Sequence, residues 1–230
     1  MHNAITEAPT GTAVVLRALA RFPERRAFVW DGGSLTYRAA LALIGRLQAA
    51  MAAAGLTKGQ TVAFLSANNA ETWCAGVAAG GLGLVSTWLH PLGALDDQLD
   101  VIEDAGASAL IVDPRTHAQR GGELAAGAAA RIGVVLTMGK ADFGRDLMAA
   151  AERIGEASPV DLATPEDYSV INYTGGTTGK SKGAIRRHRS TAAMTIAVAA
   201  DFEFPETPRY LAAAPITHVA GTKVVPTLLK

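Results

Sequence analysis

The chain of 230 residues is long enough to bury a sizeable core, either as one large domain or as two small ones. Its residues are 49% hydrophobic and 18% charged, which predicts a folded globular protein and excludes an intrinsically disordered one. Because 21 Lys and Arg residues balance 21 Asp and Glu residues, the charge gives no support for nucleic acid or an anionic membrane as the main partner.

The cysteine content and the first residues of the chain bear on its compartment. The single cysteine, Cys74, excludes an intramolecular disulfide and fits a reducing compartment. Residues 1–7 lack the basic start and apolar core of a signal peptide, and the Ala/Gly-rich stretches are too interrupted to form a stable membrane span. These features predict a cytoplasmic protein.

The predicted elements alternate between helices and strands. In chain order they are a helix over residues 12–22, a strand over 26–30, a helix over 36–54, a strand over 61–65, a helix over 70–80, a strand over 83–89, a helix over 95–105, a strand over 109–112, a helix over 115–131, a strand over 132–137, a helix over 143–154, a strand over 169–172, a helix over 190–200 and a strand over 210–214. Thr36 is expected to cap the second helix and Gly55 to end it. This alternation predicts an α/β fold with parallel-rich sheets flanked by helices.

A polar stretch separates two parts of the chain. Residues 156–167 contain Pro159 and Pro165, and we expect them to link a first α/β portion, residues 1–158, to a second portion, residues 159–230.

The last residues form an unusual end. Residues 222–230 are predicted to form an apolar helix that has neither a capping Gly nor a polar tail, as if the chain were cut inside an element. If residues 224–229 are exposed, their apolar surface would favour self-association, and we expect a homo-oligomer in that case.

The most specialised stretch follows the predicted strand over 169–172. Residues 173–183 read Tyr-Thr-Gly-Gly-Thr-Thr-Gly-Lys-Ser-Lys-Gly. Glycine allows the backbone to approach a ligand closely, successive N–H groups can surround an anion, and Thr and Lys add donors and positive charge. The stretch therefore predicts a polyphosphate site. It is a near miss of the P-loop motif, because Thr174 stands where that motif has its first Gly.

A hydrolase is an alternative for the same stretch. Residues 179–183 match G-x-S-x-G, with Ser181 as the nucleophile, and Asp201 and His218 follow in the required order. The motif needs a strand directly before it, and residues 174–178 are a poor strand.

Other candidate motifs have simpler interpretations. Asp97, Asp100 and Asp104 share one face of a predicted helix, which indicates a solvated face rather than a metal site. Residues 80–83 are Gly-rich but fall short of a dinucleotide fingerprint, and helix–strand packing explains them better. Cys74 stands in an apolar helical stretch and is predicted to be a buried, inert thiol.

Residues 173–183 resemble the signature Y-T-S-G-T-T-G-x-P-K-G of the adenylate-forming enzyme superfamily, which contains acyl-CoA synthetases, luciferases and peptide-synthetase adenylation domains. A glycine stands where the signature has its Ser, and Ser181 stands where it has Pro. Four other segments resemble family motifs in order and spacing: residues 35–37, 58–63, 102–107 and 215–221, the last being similar to P-x-x-H-x-x-G.

The resemblance implies a two-step reaction. A carboxylic acid, a fatty acid or a related acid, attacks the α-phosphate of ATP with Mg²⁺ present, and coenzyme A then displaces AMP from the acyl-adenylate. His218 would lie at the wall of the acyl pocket. The residues that would hold the β- and γ-phosphates are Thr174, Gly175, Gly176, Thr177, Thr178, Gly179 and Lys182.

The resemblance also implies that the chain is an incomplete large N-terminal domain. The family's Y-G-x-T-E and T-G-D motifs, and its C-terminal subdomain with a catalytic Lys, are absent from residues 1–230. We therefore expect no catalytic residue and no metal ligand in this chain, and no ligase activity from it alone. A non-catalytic nucleotide- or acyl-binding module is the alternative, with the Ser181 hydrolase as the third hypothesis.

Overall fold

The computed structural model describes residues 8–174, 181–217 and 219–230, except the side chain of Val219. In chain order the elements are α1 (Gly11–Arg21), β1 (Arg26–Trp30), β2 (Gly33–Thr36), α2 (Tyr37–Ala53), β3 (Thr61–Leu65), α3 (Ala70–Gly81), β4 (Val85–Trp88), α4 (Leu95–Asp104), β5 (Ala107–Val112), α5 (Pro114–Gly127), β6 (Val134–Thr137), β7 (Arg145–Asp146), α6 (Leu147–Ile154), β8 (Tyr168–Thr174), β9 (Lys182–Arg187), α7 (His188–Asp201), a 3₁₀ helix (Val219–Lys223) and α8 (Val224–Leu229).

Seven strands form one sheet in the order β7-β6-β5-β3-β4-β8-β9. All neighbours from β7 to β8 pair in parallel, and only β9 at the edge runs antiparallel, against β8. The strands β1 and β2 form a separate antiparallel pair. The predicted α/β fold with a mostly parallel sheet and flanking helices is confirmed.

The central strand β3 shows how the sheet is covered on both faces. Val62 and Phe64 pack with α1, α2, α3 and α6, whereas Ala63 and Leu65 pack with α4 and α5. Successive side chains of a strand point to opposite faces, so a continuous apolar run is what a strand buried on both sides requires. All four of these side chains are fully buried.

Polar caps set the starts of the helices. The N–H of Ala39 donates to the hydroxyl of Thr36 at 3.1 Å, as the sequence predicts for the start of α2. Gly55 follows this helix with φ of +94°, a conformation that glycine adopts without strain. Four other helices have side-chain caps, from Thr10, Asn69, Asp113 and Asp146.

Four element predictions were wrong, and one of them concerns the strand β2, which the sequence did not predict. Residues 210–214 form no strand, because the side chain of Asn68, rather than a neighbouring strand, bonds their backbone. The predicted helix over 143–154 begins only at Leu147, after the short strand β7. The strand β9 was not predicted, since most of its residues are exposed and show no apolar alternation.

Residues 156–167 form no helix or strand, but they pack closely against α2 and α3. The side-chain amide of Gln48 donates to the carbonyl of Val160 and accepts from its N–H, both at 2.8 Å. The N–H of Leu162 donates to the carbonyl of Gly81 at 2.7 Å. A Cβ added at Gly81 would lie 2.6 Å from the carbonyl oxygen of Val160, so this glycine allows close packing against residues 156–167 rather than the helix–strand packing that the sequence predicted.

The helix α8 is not an exposed apolar helix, which corrects the prediction. Val224, Pro226 and Leu228 are buried, and the hydroxyl of Tyr37 donates to the carbonyl of Leu228 at 3.1 Å. The apolar side chains of α8 join the core that α1 and α2 share. Because this helix is packed against the core, it gives no argument for self-association. A homo-oligomer stays a prediction that the structure does not test.

Cys74 is buried inside α3, as the sequence predicts. Burial raises the pKa of its thiol far above the usual value, so the reactive thiolate is not populated at neutral pH. Among the described residues, none of the helices combines the length and apolar character that a bilayer crossing requires.

Candidate active site

The carboxyl ends of the parallel strands lie at one edge of the sheet. Asn68 follows β3, His90 follows β4, Asp113 follows β5, and Thr174 ends β8. Ligands of open α/β sheets bind outside this edge. The structure therefore brings the start of the Gly/Thr/Lys stretch to the edge where a ligand site is expected.

The strands β8 and β9 form a hairpin whose connection is the predicted phosphate loop. Thr174 and Lys182 are opposite each other in the ladder, and both are exposed. These two predicted phosphate-binding residues therefore lie together where the connection begins and ends. The other five predicted residues lie outside the described residues: Gly175, Gly176, Thr177, Thr178 and Gly179.

Tyr173 anchors this end of the hairpin to α4. Its hydroxyl donates to a carboxylate oxygen of Asp104 at 2.5 Å. Burial first, and then this hydrogen bond, raises the pKa of Tyr173, so the hydroxyl stays protonated and can donate at neutral pH. Gly183 lies opposite in the ladder, and a Cβ there would come within 3.0 Å of Cζ of the Tyr173 ring. The ring therefore needs a glycine beside it.

The acidic face of α4 is exposed, as the sequence predicts. Asp97, Asp100 and Asp104 all lie on the surface. Asp104 also accepts a hydrogen bond from the first residue of the Gly/Thr/Lys stretch, a contact that the sequence did not indicate. Within the described ranges, no three His, Cys, Asp or Glu side chains are grouped as a metal site would require.

The other end of the hairpin is also held. The hydroxyls of Ser169 and Thr191 lie 2.9 Å apart and join β8 to α7. The guanidinium of Arg187 lies over the ring of Tyr168, and Arg189 pairs with Glu166 at 2.9 Å. Both ends of β8 are thus fixed to neighbouring helices or to β9.

The strand β9 excludes two alternatives for the Gly/Thr/Lys stretch. A nucleophile elbow places its Ser directly before a helix, and a P-loop likewise leads into a helix. Ser181 instead leads directly into β9, which begins at Lys182. The hydrolase hypothesis and the P-loop interpretation are therefore wrong.

A cleft of about 1030 Å³ lies near the same edge of the sheet. It is bordered by the β1 strand, by residues 68–71, by residues 207–212 and by α8. Arg115 lines it and is held by carboxylates of Asp113 at 2.8 Å and Glu71 at 2.6 Å. His218, the predicted acyl-pocket residue, lies outside the described residues.

An open, mostly parallel sheet with a Gly/Thr/Lys hairpin at its carboxyl edge is the architecture of the N-terminal domain of adenylate-forming enzymes. The chain belongs to the AMP-binding enzyme family, whose model matches residues 15–230. The resemblance read from the sequence is thereby confirmed.

Individual relatives and a solved structure agree with this assignment. The chain is 34% identical over 205 residues to the medium/long-chain-fatty-acid–CoA ligase FadD8 of Mycobacterium tuberculosis, covering 86% of this chain and 35% of that protein. It is 31% identical over 210 residues to a feruloyl-CoA synthase of Amycolatopsis sp., covering 90% and 40%. The structure of ATP-bound MatB from Rhodopseudomonas palustris superposes with a TM-score of 0.79 at 25% identity, covering 96% of this chain and 44% of that one. The chain thus spans 35–40% of the length of these two relatives.

Proposed function

We propose that the protein carrying this chain activates a carboxylic acid with ATP, as an acyl-adenylate, and then transfers the acyl group to coenzyme A. The observation that carries the proposal is the hairpin that joins Thr174 to Lys182 at the carboxyl edge of the sheet, in a chain of the AMP-binding enzyme family. The relatives named as fatty-acid–CoA ligase and feruloyl-CoA synthase support an acid–thiol ligase.

The hairpin would hold the β- and γ-phosphates of ATP. Thr174 and Thr178 supply hydroxyl donors, glycines allow backbone N–H groups to approach the phosphates, and Lys182 supplies a positive charge. Phosphoryl chemistry depends mainly on positioning and on neutralising charge, and these donors do both. ATP would enter with Mg²⁺, which neutralises part of the phosphate charge.

The acid would bind on the other side of the same edge, near residues 215–221. In this proposal His218 lies at the wall of the acyl pocket, beside the carboxylate that attacks ATP. The substrate class is a fatty acid or a related acid. In this proposal the chain is part of an N-terminal domain, with a first α/β portion over residues 1–158 and a phosphate-loop portion over residues 159–230. The protein would act in the cytoplasm, where ATP and coenzyme A are available.

Thioester formation by the complete gene product tests the proposal. The protein is incubated with ATP, Mg²⁺, coenzyme A and one acid at a time (octanoate, palmitate or ferulate), and acyl-CoA is measured by mass spectrometry. We expect ATP-dependent acyl-CoA with at least one acid. Replacing Lys182 by Ala removes a phosphate donor and should lower the rate by about a hundredfold.

The control variant is Lys140→Ala, which removes an exposed Lys from the connection after β6 and should keep the wild-type rate. The 230-residue chain alone is expected to form no acyl-CoA. ATP binding without any thioester, with every acid, would instead favour the non-catalytic nucleotide-binding module.

A further inference from the structure

The side chain of Asn68 binds the backbone of residues 212–216 at three points. Its amide nitrogen donates to the carbonyl of Ala212 at 2.8 Å and to the carbonyl of Ala214 at 3.0 Å. Its amide oxygen accepts from the N–H of Ile216 at 2.8 Å. We call this set of three hydrogen bonds the Asn68 clasp. A single side chain thereby satisfies backbone groups that a neighbouring strand would otherwise satisfy.

The clasp joins two parts of the chain at the candidate active site. Asn68 stands three residues after the end of β3, at the carboxyl edge of the sheet. Residues 212–216 overlap the start of the segment 215–221 that resembles P-x-x-H-x-x-G. Asn68 and Ala212 also line the same cleft.

Apart from Ile216, which packs half-buried against the core, the clasped segment buries little apolar surface. Residues 208–213 form neither helix nor strand, and the side chain of Leu211 is 84% exposed. A segment that buries little apolar surface depends on polar contacts for its order. The hydroxyl of Tyr210 donates to the carbonyl of Ala220 at 3.1 Å, which links the residues before and after the clasped segment to each other but not to the sheet.

We propose that Asn68 is a positioning residue for the acid substrate: it fixes residues 212–216 against the carboxyl edge of the sheet, so that the acyl pocket begins at a defined place. This inference rests on the proposed function for its effect on catalysis. The clasp itself does not, because its effect on the order of residues 211–217 can be measured without any substrate.

The chemistry of the clasp predicts which substitution of Asn68 is the more harmful. Asn68→Ala removes all three hydrogen bonds. Asn68→Asp is nearly isosteric and keeps an acceptor for Ile216, but it sets a carboxylate against two carbonyl oxygens. A role in filling space would make Asn68→Asp the milder change, whereas the clasp makes it at least as harmful as Asn68→Ala.

The adjacent Asn69 gives a matched control. Its side chain caps α3, accepting from the N–H of Thr72 at 2.9 Å. Asn69→Ala therefore loses a helix cap next to Asn68 and lowers stability without removing any bond of the clasp.

The experiment compares the complete wild-type protein with Asn68→Ala, Asn68→Asp and Asn69→Ala. Hydrogen exchange of the amides in residues 211–217 should become about tenfold faster in both Asn68 variants, and should stay at the wild-type rate in Asn69→Ala. The KM for the acid should rise about tenfold in both Asn68 variants, while the KM for ATP stays unchanged.

The outcomes separate the clasp from the proposed function. If the amides of residues 211–217 exchange at the wild-type rate in both Asn68 variants, the inference is overturned. An unchanged KM for the acid in an active enzyme also overturns it. A milder effect of Asn68→Asp than of Asn68→Ala also contradicts it. If the wild-type protein activates no acid, the proposed function fails, and exchange alone decides whether Asn68 fixes the segment.

Discussion

At the scale of single residues, Tyr173 and Asp104 are joined by one hydrogen bond across 69 positions of the chain. The bond fixes the residue that precedes Thr174, where the connection of the hairpin begins. Because the pKa of Tyr173 is raised, its hydroxyl remains a donor throughout the pH range in which an enzyme of this kind would be assayed.

Removing this bond should weaken ATP binding rather than chemistry. We expect Tyr173→Phe and Asp104→Ala each to raise the KM for ATP several-fold in the complete protein, with kcat little changed. The KM for ATP of the double variant should not exceed that of the more impaired single variant, because each substitution removes the same hydrogen bond. Steady-state kinetics measures this, with Asp100→Ala, an exposed change on the same helix, as the control. A wild-type KM for ATP in Tyr173→Phe would contradict the positioning role.

At the scale of elements, residues 157–159 pack directly onto the backbone of α2. A Cβ added at Gly45 would overlap the carbonyl oxygen of Ala157 and lie 2.9 Å from the nitrogen of Pro159. Backbone atoms cannot move aside as a flexible side chain can. The crossing of residues 156–167 over α2 therefore depends on a glycine in the middle of a helix, where alanine would otherwise be preferred.

Gly45→Ala is expected to destabilise the protein despite the higher helix propensity of alanine. We expect the free energy of unfolding to fall by about 1–3 kcal/mol, the usual cost of overpacking. Gly122→Ala in α5 is the matched control, because its Cβ would lie 3.6 Å from the ring of Phe143, an ordinary contact. It should raise the free energy of unfolding by about 0.5–1 kcal/mol. Urea denaturation measures both, and an equal effect of the two substitutions would refute the packing argument.

Local signals explain which elements could be predicted from the sequence. The start of α2 followed from the Thr36 cap and its end from Gly55, because caps and left-handed glycines act over a few residues. The strands β7 and β9 could not be predicted, since a two-residue strand and a mostly exposed one have no apolar pattern of their own. Their existence depends on partners that are distant in the chain.

The candidate site also contains residues that could be predicted from local sequence and residues that could not. The Gly/Thr/Lys stretch could be read directly, because its chemistry is contained in eleven consecutive residues, 173–183. The roles of Asp104 and Asn68 could not, since their bonds join residues 69 and at least 144 positions apart. The burial of α8 could not be predicted either, because it depends on a distant contact: the hydroxyl of Tyr37 donates to the carbonyl of Leu228.

At the scale of the whole molecule, the first and second portions of the chain share one sheet. The strand β8, from residues 159–230, pairs with β4, from residues 1–158. The ATP-binding hairpin of the proposal is therefore continuous with the sheet that carries Asn68. This arrangement would allow the acid and ATP to meet at one edge, which is the central claim of the account.

Acid-dependent exchange of pyrophosphate into ATP tests this claim most directly, because it reports acyl-adenylate formation without coenzyme A. With the complete protein, Mg²⁺ and a fatty or related acid, labelled pyrophosphate should enter ATP only when the acid is present. Lys182→Ala should reduce the exchange rate by about a hundredfold, and Lys140→Ala should not change it. Absence of exchange with octanoate, palmitate and ferulate, in a protein that binds ATP, would contradict the account.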